Sequence, residues 1–152
     1  VASPCYTRGG GRTRRAVTEG AARLANAPQV ATALHRFAKV QTSAEKSLQK
    51  ALPTTDPRLG RLVSAAAACA DALEPRSLAN VCWALAKIGG VGGSKLVLDA
   101  MAKAATAKVG AFNSYDLANT AWAYATAGVE APVLFAAVAS EAVKKIATFE
   151  PQ

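Results

Sequence analysis

From residue 58 onward the apolar residues fall at helical spacing, and glycine or proline breaks the pattern at regular intervals. Leu59, Leu62, Val63 and Ala66 form one run, Leu96, Leu98, Met101 and Ala105 a second, and Val133 to Val138 a third. Between them lie stretches that are apolar almost all round, such as Leu78, Ala79, Val81, Cys82, Leu85 and Ala86, the mark of a helix covered on several sides. The breakers predict two alternating sets of helices. An A set begins after Pro28, Pro75 and Ser114, and its second and third members end at Gly89 and Gly128, where a left-handed residue can close a helix. A B set lies near Arg58 to Leu73, Ser94 to Val109 and Pro132 to Ile146, with Pro57 and Pro132 near first-turn positions and Ser94 as an N-cap.

The A helices repeat one another. "EPRSLANVCWALAKIG" at 74–89 and "NSYDLANTAWAYATAG" at 113–128 share Leu, Ala, Asn, Trp, Ala and Gly at an offset of 39 residues. "PQVATALHRFAK" at 28–39 aligns with 76–87, placing His35 on Trp83 and Lys39 on Lys87. Phe149 to Gln152 restate Phe112 to Tyr115, the start of another copy. Pairs of helices at this period predict an all-α chain, an α-solenoid of about three helix-turn-helix repeats of about 38 residues. The repeats span approximately 28–73, 74–111 and 112–148, and Trp83 and Trp122 should occupy equivalent environments.

Charge alters this picture at one end. Of the formal +8, residues 1–50 contribute +7, from nine Lys/Arg against Glu19 and Glu45, and the remainder only +1, from nine against eight. Residues 1–25, with Arg8, Arg12, Arg14, Arg15 and Arg23 around a triple glycine, lack apolar periodicity and read as an extended basic arm able to meet phosphate. Its Arg-rich, acid-poor composition also fits the end of an organellar transit peptide or an ordinary solvated tail. Few aromatics and scarce β-branched runs fit closely packed alanine helices better than a sheet, and no long uncharged apolar stretch predicts a membrane span. Cys5, Cys69 and Cys82 are odd in number and lack metal or redox spacing, so buried or idle thiols are expected, with Cys82 inside the A layer and Cys5 on the arm.

"LANVCWALAKIG" and "LANTAWAYATAG" resemble the helix-A signature of octotricopeptide repeats, the degenerate 38-residue helical repeats of algal and protist organellar proteins, which are related in style to the repeats of RAP-domain and FAST-kinase-like proteins. The resemblance covers about residues 28–152. It implies sequence-selective binding of organellar RNA in a chloroplast or mitochondrion, acting in processing, stability, translation or ribosome assembly. The proline-rich segment many members carry between the helices is reduced here to "EAPVLF" and "GGSKLV".

Helical geometry gathers the polar residues of each A helix onto one stripe. These are Arg76, Asn80, Trp83 and Lys87 in one copy, Tyr115, Asn119, Trp122 and Thr126 in the next, and Thr32, His35 and Lys39 in the first. Two readings fit. In one the stripe reads RNA: Asn meets base edges, the rings stack on bases and Lys or Arg meets phosphate. In the other Trp83 and Trp122 fill gaps between alanine-rich copies, and Asn80 and Asn119 bridge to neighbouring carbonyls. Arg76 against Tyr115, and Ser77 against Asp116, vary between copies and suit specificity. Catalysis finds little footing, because His35 has no nucleophile at recognisable spacing and "GGVGGSK" at 89–95 lacks phosphate-loop spacing. The expectation is a non-enzymatic protein without cofactor or metal. Its partner is RNA, an organellar transcript or rRNA; alternatively it is a structural adaptor among the protein subunits of a large organellar assembly, a ribosome or a membrane supercomplex.

Overall fold

A computed structural model describes residues 27–46, 55–89 and 92–148, and among them every regular element is helical. The basic arm, with Cys5 and Arg8, Arg12, Arg14, Arg15 and Arg23, lies outside the described residues, as does the restart at Phe149. Helix α1 spans Ala27–Lys46, α2 Pro57–Ala68, α3 Pro75–Ile88, α4 Ser94–Lys108, α5 Ser114–Ala127 and α6 Pro132–Lys144. The A helices are thus α1, α3 and α5, and the B helices α2, α4 and α6.

Local chemistry sets most of these boundaries. Asp56 caps α2 by accepting the Arg58 backbone N–H at 2.8 Å, and Pro57 fills the first position, where a missing N–H costs nothing. Asn113 and Asp116 form a reciprocal capping box at the start of α5, each side chain accepting the other's backbone N–H, at 2.8 Å and 3.2 Å. Gly128 closes α5 in the expected left-handed conformation, at φ 63° and ψ 30°, whereas Gly89 closes α3 at φ 60° but with an extended ψ of 156°, outside the left-handed helical region and open only to glycine. The start of α4 differs from expectation. Gly93, in a left-handed conformation, holds the N-cap position and Ser94 is the first helical residue, so no side chain caps that end.

The B helices also stop short of their predicted ends. Each finishes in a separate 3₁₀ turn, at Ala70–Ala72, Val109–Ala111 and Ile146–Thr148. After the first two turns the backbone extends, with ψ of 136° at both Leu73 and Phe112. That conformation drops Leu73 and Phe112 into the core, where both are fully buried.

The helices pack in two interlocked series. Helix α3 lies between α1 and α5, the most extensive contacts in the molecule, while α4 lies between α2 and α6. Each A helix also packs on the B helix that follows it. Alanine permits the close approach: Ala79, Ala84 and Ala123 have no more than one per cent of their surface exposed. A single apolar cluster runs from Val30 and Leu34 through Val63, Leu78, Val81, Cys82 and Met101 to Leu117, Tyr124 and Leu134. Cys82 is wholly enclosed, and burial pushes its thiol up to about 12.

Two lysines join successive pairs. Lys108, at the end of α4, donates to the carbonyls of Asp71 and Leu73 at 2.8 and 2.7 Å, and Lys145, just past α6, donates to those of Gly110 and Phe112 at 2.8 and 2.6 Å. Both therefore satisfy the open 3₁₀ turn of the preceding pair. The corresponding position of the first pair, four residues before Leu73, is Cys69.

Candidate nucleic-acid interface

The close packing of α1, α3 and α5 sets their three polar stripes side by side, and rings and a cation link them. The His35 ring lies 5.0 Å from that of Trp83, tilted by 32°. The Lys87 ammonium sits 5.9 Å from the Trp83 ring centroid and 4.7 Å from that of Trp122. His35, Trp83, Lys87 and Trp122 thus form a continuous ridge across all three A helices.

Exposure divides the sequence-predicted residues. Thr32, Lys39, Arg76, Lys87, Tyr115, Trp122 and Thr126 are exposed, whereas His35, Ser77, Asn80, Trp83 and Asn119 are half-buried. Asp116, paired with Ser77 as a variable position, is buried and holds the α5 cap, so its carboxylate faces backbone. Thr32 directs its hydroxyl to the Pro28 carbonyl at 2.8 Å. Trp83 and Trp122 are not in equivalent environments. Trp83 is half-buried with both His35 and Lys87 against it, while Trp122 is 40% exposed and touched by Lys87. The cause is position: α3 has A-helix neighbours on both sides and α5, among the described residues, on one.

The asparagines do not make the bridge expected of gap-filling residues. A gap-bridging amide would be hydrogen-bonded to a neighbouring carbonyl, yet among the described residues neither Asn80 nor Asn119 has a side-chain hydrogen bond. Each leaves two donors and one acceptor unused at a half-buried place along the ridge. His35 Nδ1 is also buried and without a partner among the described residues. Partial burial, then the nearby charges of Lys39 and Arg76, hold the His35 pKa below its ordinary 6.5, so the ring is neutral near pH 7.

The near-neutral charge of residues 51–152 hides a local imbalance. Arg58 pairs with Asp56 at 2.7 Å, Lys95 with Asp99 at 3.2 Å, and Lys144 and Lys145 with Glu141 at 3.0 and 2.9 Å. Lys108 is turned onto carbonyls. Arg76 and Lys87, by contrast, have no acidic partner among the described residues and stand on the ridge. Sequence reasoning missed Lys108 and Lys145; the signal was a lysine four residues before both Phe112 and Phe149.

Fold and ridge together define an all-α protein of packed helix pairs with a linear aromatic and cationic surface. Among the described residues no helix is long and apolar enough to cross a membrane. The chain is similar to a rice (Oryza sativa subsp. japonica) protein described as "RAP domain-containing protein, chloroplastic", with 32% identity over 124 residues. The alignment takes in 81% of this chain and 19% of the relative, so the chain spans about a fifth of that protein's length. No family model matches the chain, and no solved structure matches it.

Proposed function

We propose that this chain is a segment of a RAP-associated, non-catalytic helical-repeat protein that binds single-stranded RNA in the chloroplast. In this reading the helix pairs are repeats of an α-solenoid, with boundaries near 28–73, 74–111 and 112–148, and residues 1–25 are a basic arm. The observation that carries it is the pair of unbonded amides, Asn80 and Asn119, set along a ridge of His35, Trp83, Lys87 and Trp122. Rings offer stacking faces, amides offer base-edge contacts, and Arg76, Lys87 and Lys39 offer charge to the backbone phosphates. Tyr115, Arg76 and Ser77 differ from their counterparts in the other copy and are assigned to sequence preference, while Asp116 is left to the helix cap. The relative's description supports the chloroplast; a mitochondrial address or a place on the ribosome gains nothing from it.

A second reading rests on α6 and the turn after it, where Val133, Val143 and Ile146 are each more than 70% exposed. Such a face suits a protein neighbour, as in an adaptor subunit.

Binding of the chain to a panel of single-stranded RNA oligonucleotides, measured by fluorescence anisotropy across a salt series, separates the two. Under RNA reading, Asn80→Ala and Asn119→Ala each cost about 1–3 kcal/mol against the preferred sequence and leave the salt slope unchanged. Replacing Arg8, Arg12, Arg14 and Arg15 by Ala weakens all sequences alike and lowers the slope by about three. Affinity that disappears with the arm and ignores the ridge would leave only the adaptor.

A further inference from the structure

The Lys87 ammonium rests 4.7 Å over the Trp122 ring, on a face that a stacked base would need. No carboxylate holds it there: among the described residues Lys87 forms no ion pair or hydrogen bond, and its anchors are two indoles from neighbouring helices. An exposed cation held only by ring faces is weakly held, and a phosphate is a much stronger attractor. We propose that Lys87 sets the selectivity of the ridge for phosphate-bearing nucleotide chains over free bases, by covering Trp122 until a phosphate draws the ammonium away. This rests on the RNA-binding reading of the ridge.

The geometry gives the cover its logic. Lys87 is in the last turn of α3, one turn beyond Trp83, so its stem can swing about a fixed helix end without disturbing the α3–α5 packing. A free nucleoside brings a ring but no anion; it must displace the lysine and offers the ammonium nothing in return. A nucleotide chain brings both. The ammonium moves to the phosphate, the base takes the vacated indole face, and the two contacts form together.

The test follows the indole N–H signals of the 152-residue chain by NMR, using adenosine and an oligoadenylate as probes. For Lys87→Ala, adenosine binding at Trp122 should tighten about two- to five-fold as the cover is lost. Oligoadenylate binding should lose about 0.7 from its salt slope as one phosphate contact goes. Lys87→Arg, which keeps a cation able to cover the ring, should behave as the parent does. The opposite movement of the two probes is the decisive sign. Should Lys87→Ala weaken or leave unchanged adenosine binding while the oligonucleotide still binds at Trp122, the cover is wrong and the RNA reading stands. A Trp122 signal that moves with neither probe in any variant would remove both. An acidic peptide that shifts Trp122 as the oligonucleotide does would overturn selectivity for nucleotide chains.

Discussion

Helices α3 and α5 carry nearly the same phrase, yet they use it differently. Some shared letters behave alike in packing, Leu78 and Leu117 being fully buried, as are Ala84 and Ala123, while others do not: Ala79 is buried and Ala118 half-buried, Trp83 half-buried and Trp122 exposed. The differing letters decide the rest. Where α3 has Leu85, α5 has Tyr124, whose hydroxyl reaches back to donate to the Leu98 carbonyl in α4 at 2.6 Å. Where α3 has Val81, α5 has Thr120, whose buried hydroxyl has no hydrogen-bond partner among the described residues. Glu74 gives α3 no side-chain cap, while Asn113 and Asp116 lock the start of α5. The common leucines and alanines thus build the scaffold, the variable positions distribute caps and tethers, and the number of neighbouring helices decides how far the shared tryptophan is covered.

The largest effect that could break this comparison is at Tyr124. It is wholly buried, packs edge-on against Phe135 at 6.5 Å and joins α5 to α4. Tyr124→Ala should cost about 3–5 kcal/mol in urea unfolding, and Tyr124→Phe about 1 kcal/mol for the lost hydrogen bond. A Phe variant as stable as the parent would mean that packing alone makes the tether.

The tryptophans come next. Trp83→Ala, which removes a half-buried ring packed against His35, should cost about 2 kcal/mol, and Trp122→Ala about 1 kcal/mol because its ring is the more exposed of the two, at 40%. Equal losses would erase the distinction between a helix flanked on two sides and one flanked on one. Thr120→Val sharpens the comparison from the other direction. It makes α5 match α3 and removes an unsatisfied hydroxyl, so thermal unfolding should show a gain of roughly 1 kcal/mol.

The smallest effect is titration of His35. Because its folded pKa is lowered, the neutral ring contributes stability that is fully present above 6.5 and is lost as the pH falls through the lower folded value. NMR should place the His35 midpoint below 6.5, and the Trp83 indole signal, next to the ring, should move with it more than that of Trp122. Equal tracking of both indoles would mean that the His35–Trp83 contact does not persist in solution.

The sequence made the six helices legible because glycine, proline and capping residues punctuate them and because α3 and α5 repeat. Helical spacing put Trp83 and Lys87 on one face, and the alignment of the copies set His35 and Trp122 at the corresponding place on the neighbouring helices, where the four meet. Three things escaped it. The 3₁₀ endings depend on Leu73 and Phe112 turning inward, a tertiary demand that helix propensity does not record. Asp116 looked like a free polar residue because it was read from its place beside the stripe, although it stands three residues after Asn113, the spacing of a capping box that the sequence itself displays. The unlike environments of the two tryptophans come from neighbours, and no single stretch of sequence contains its neighbours.

The lysine ties also give the molecule a direction in time. The carbonyls of Asp71 and Leu73 wait for Lys108, 37 and 35 positions later, and those of Gly110 and Phe112 wait for Lys145, 35 and 33 positions later. At about 5–20 residues per second, synthesis leaves each turn open for roughly 2–7 s before its donor is made. While either of these stretches is being made the nascent chain therefore carries an unfinished joint, and that joint is sealed by the lysine of the following helix pair.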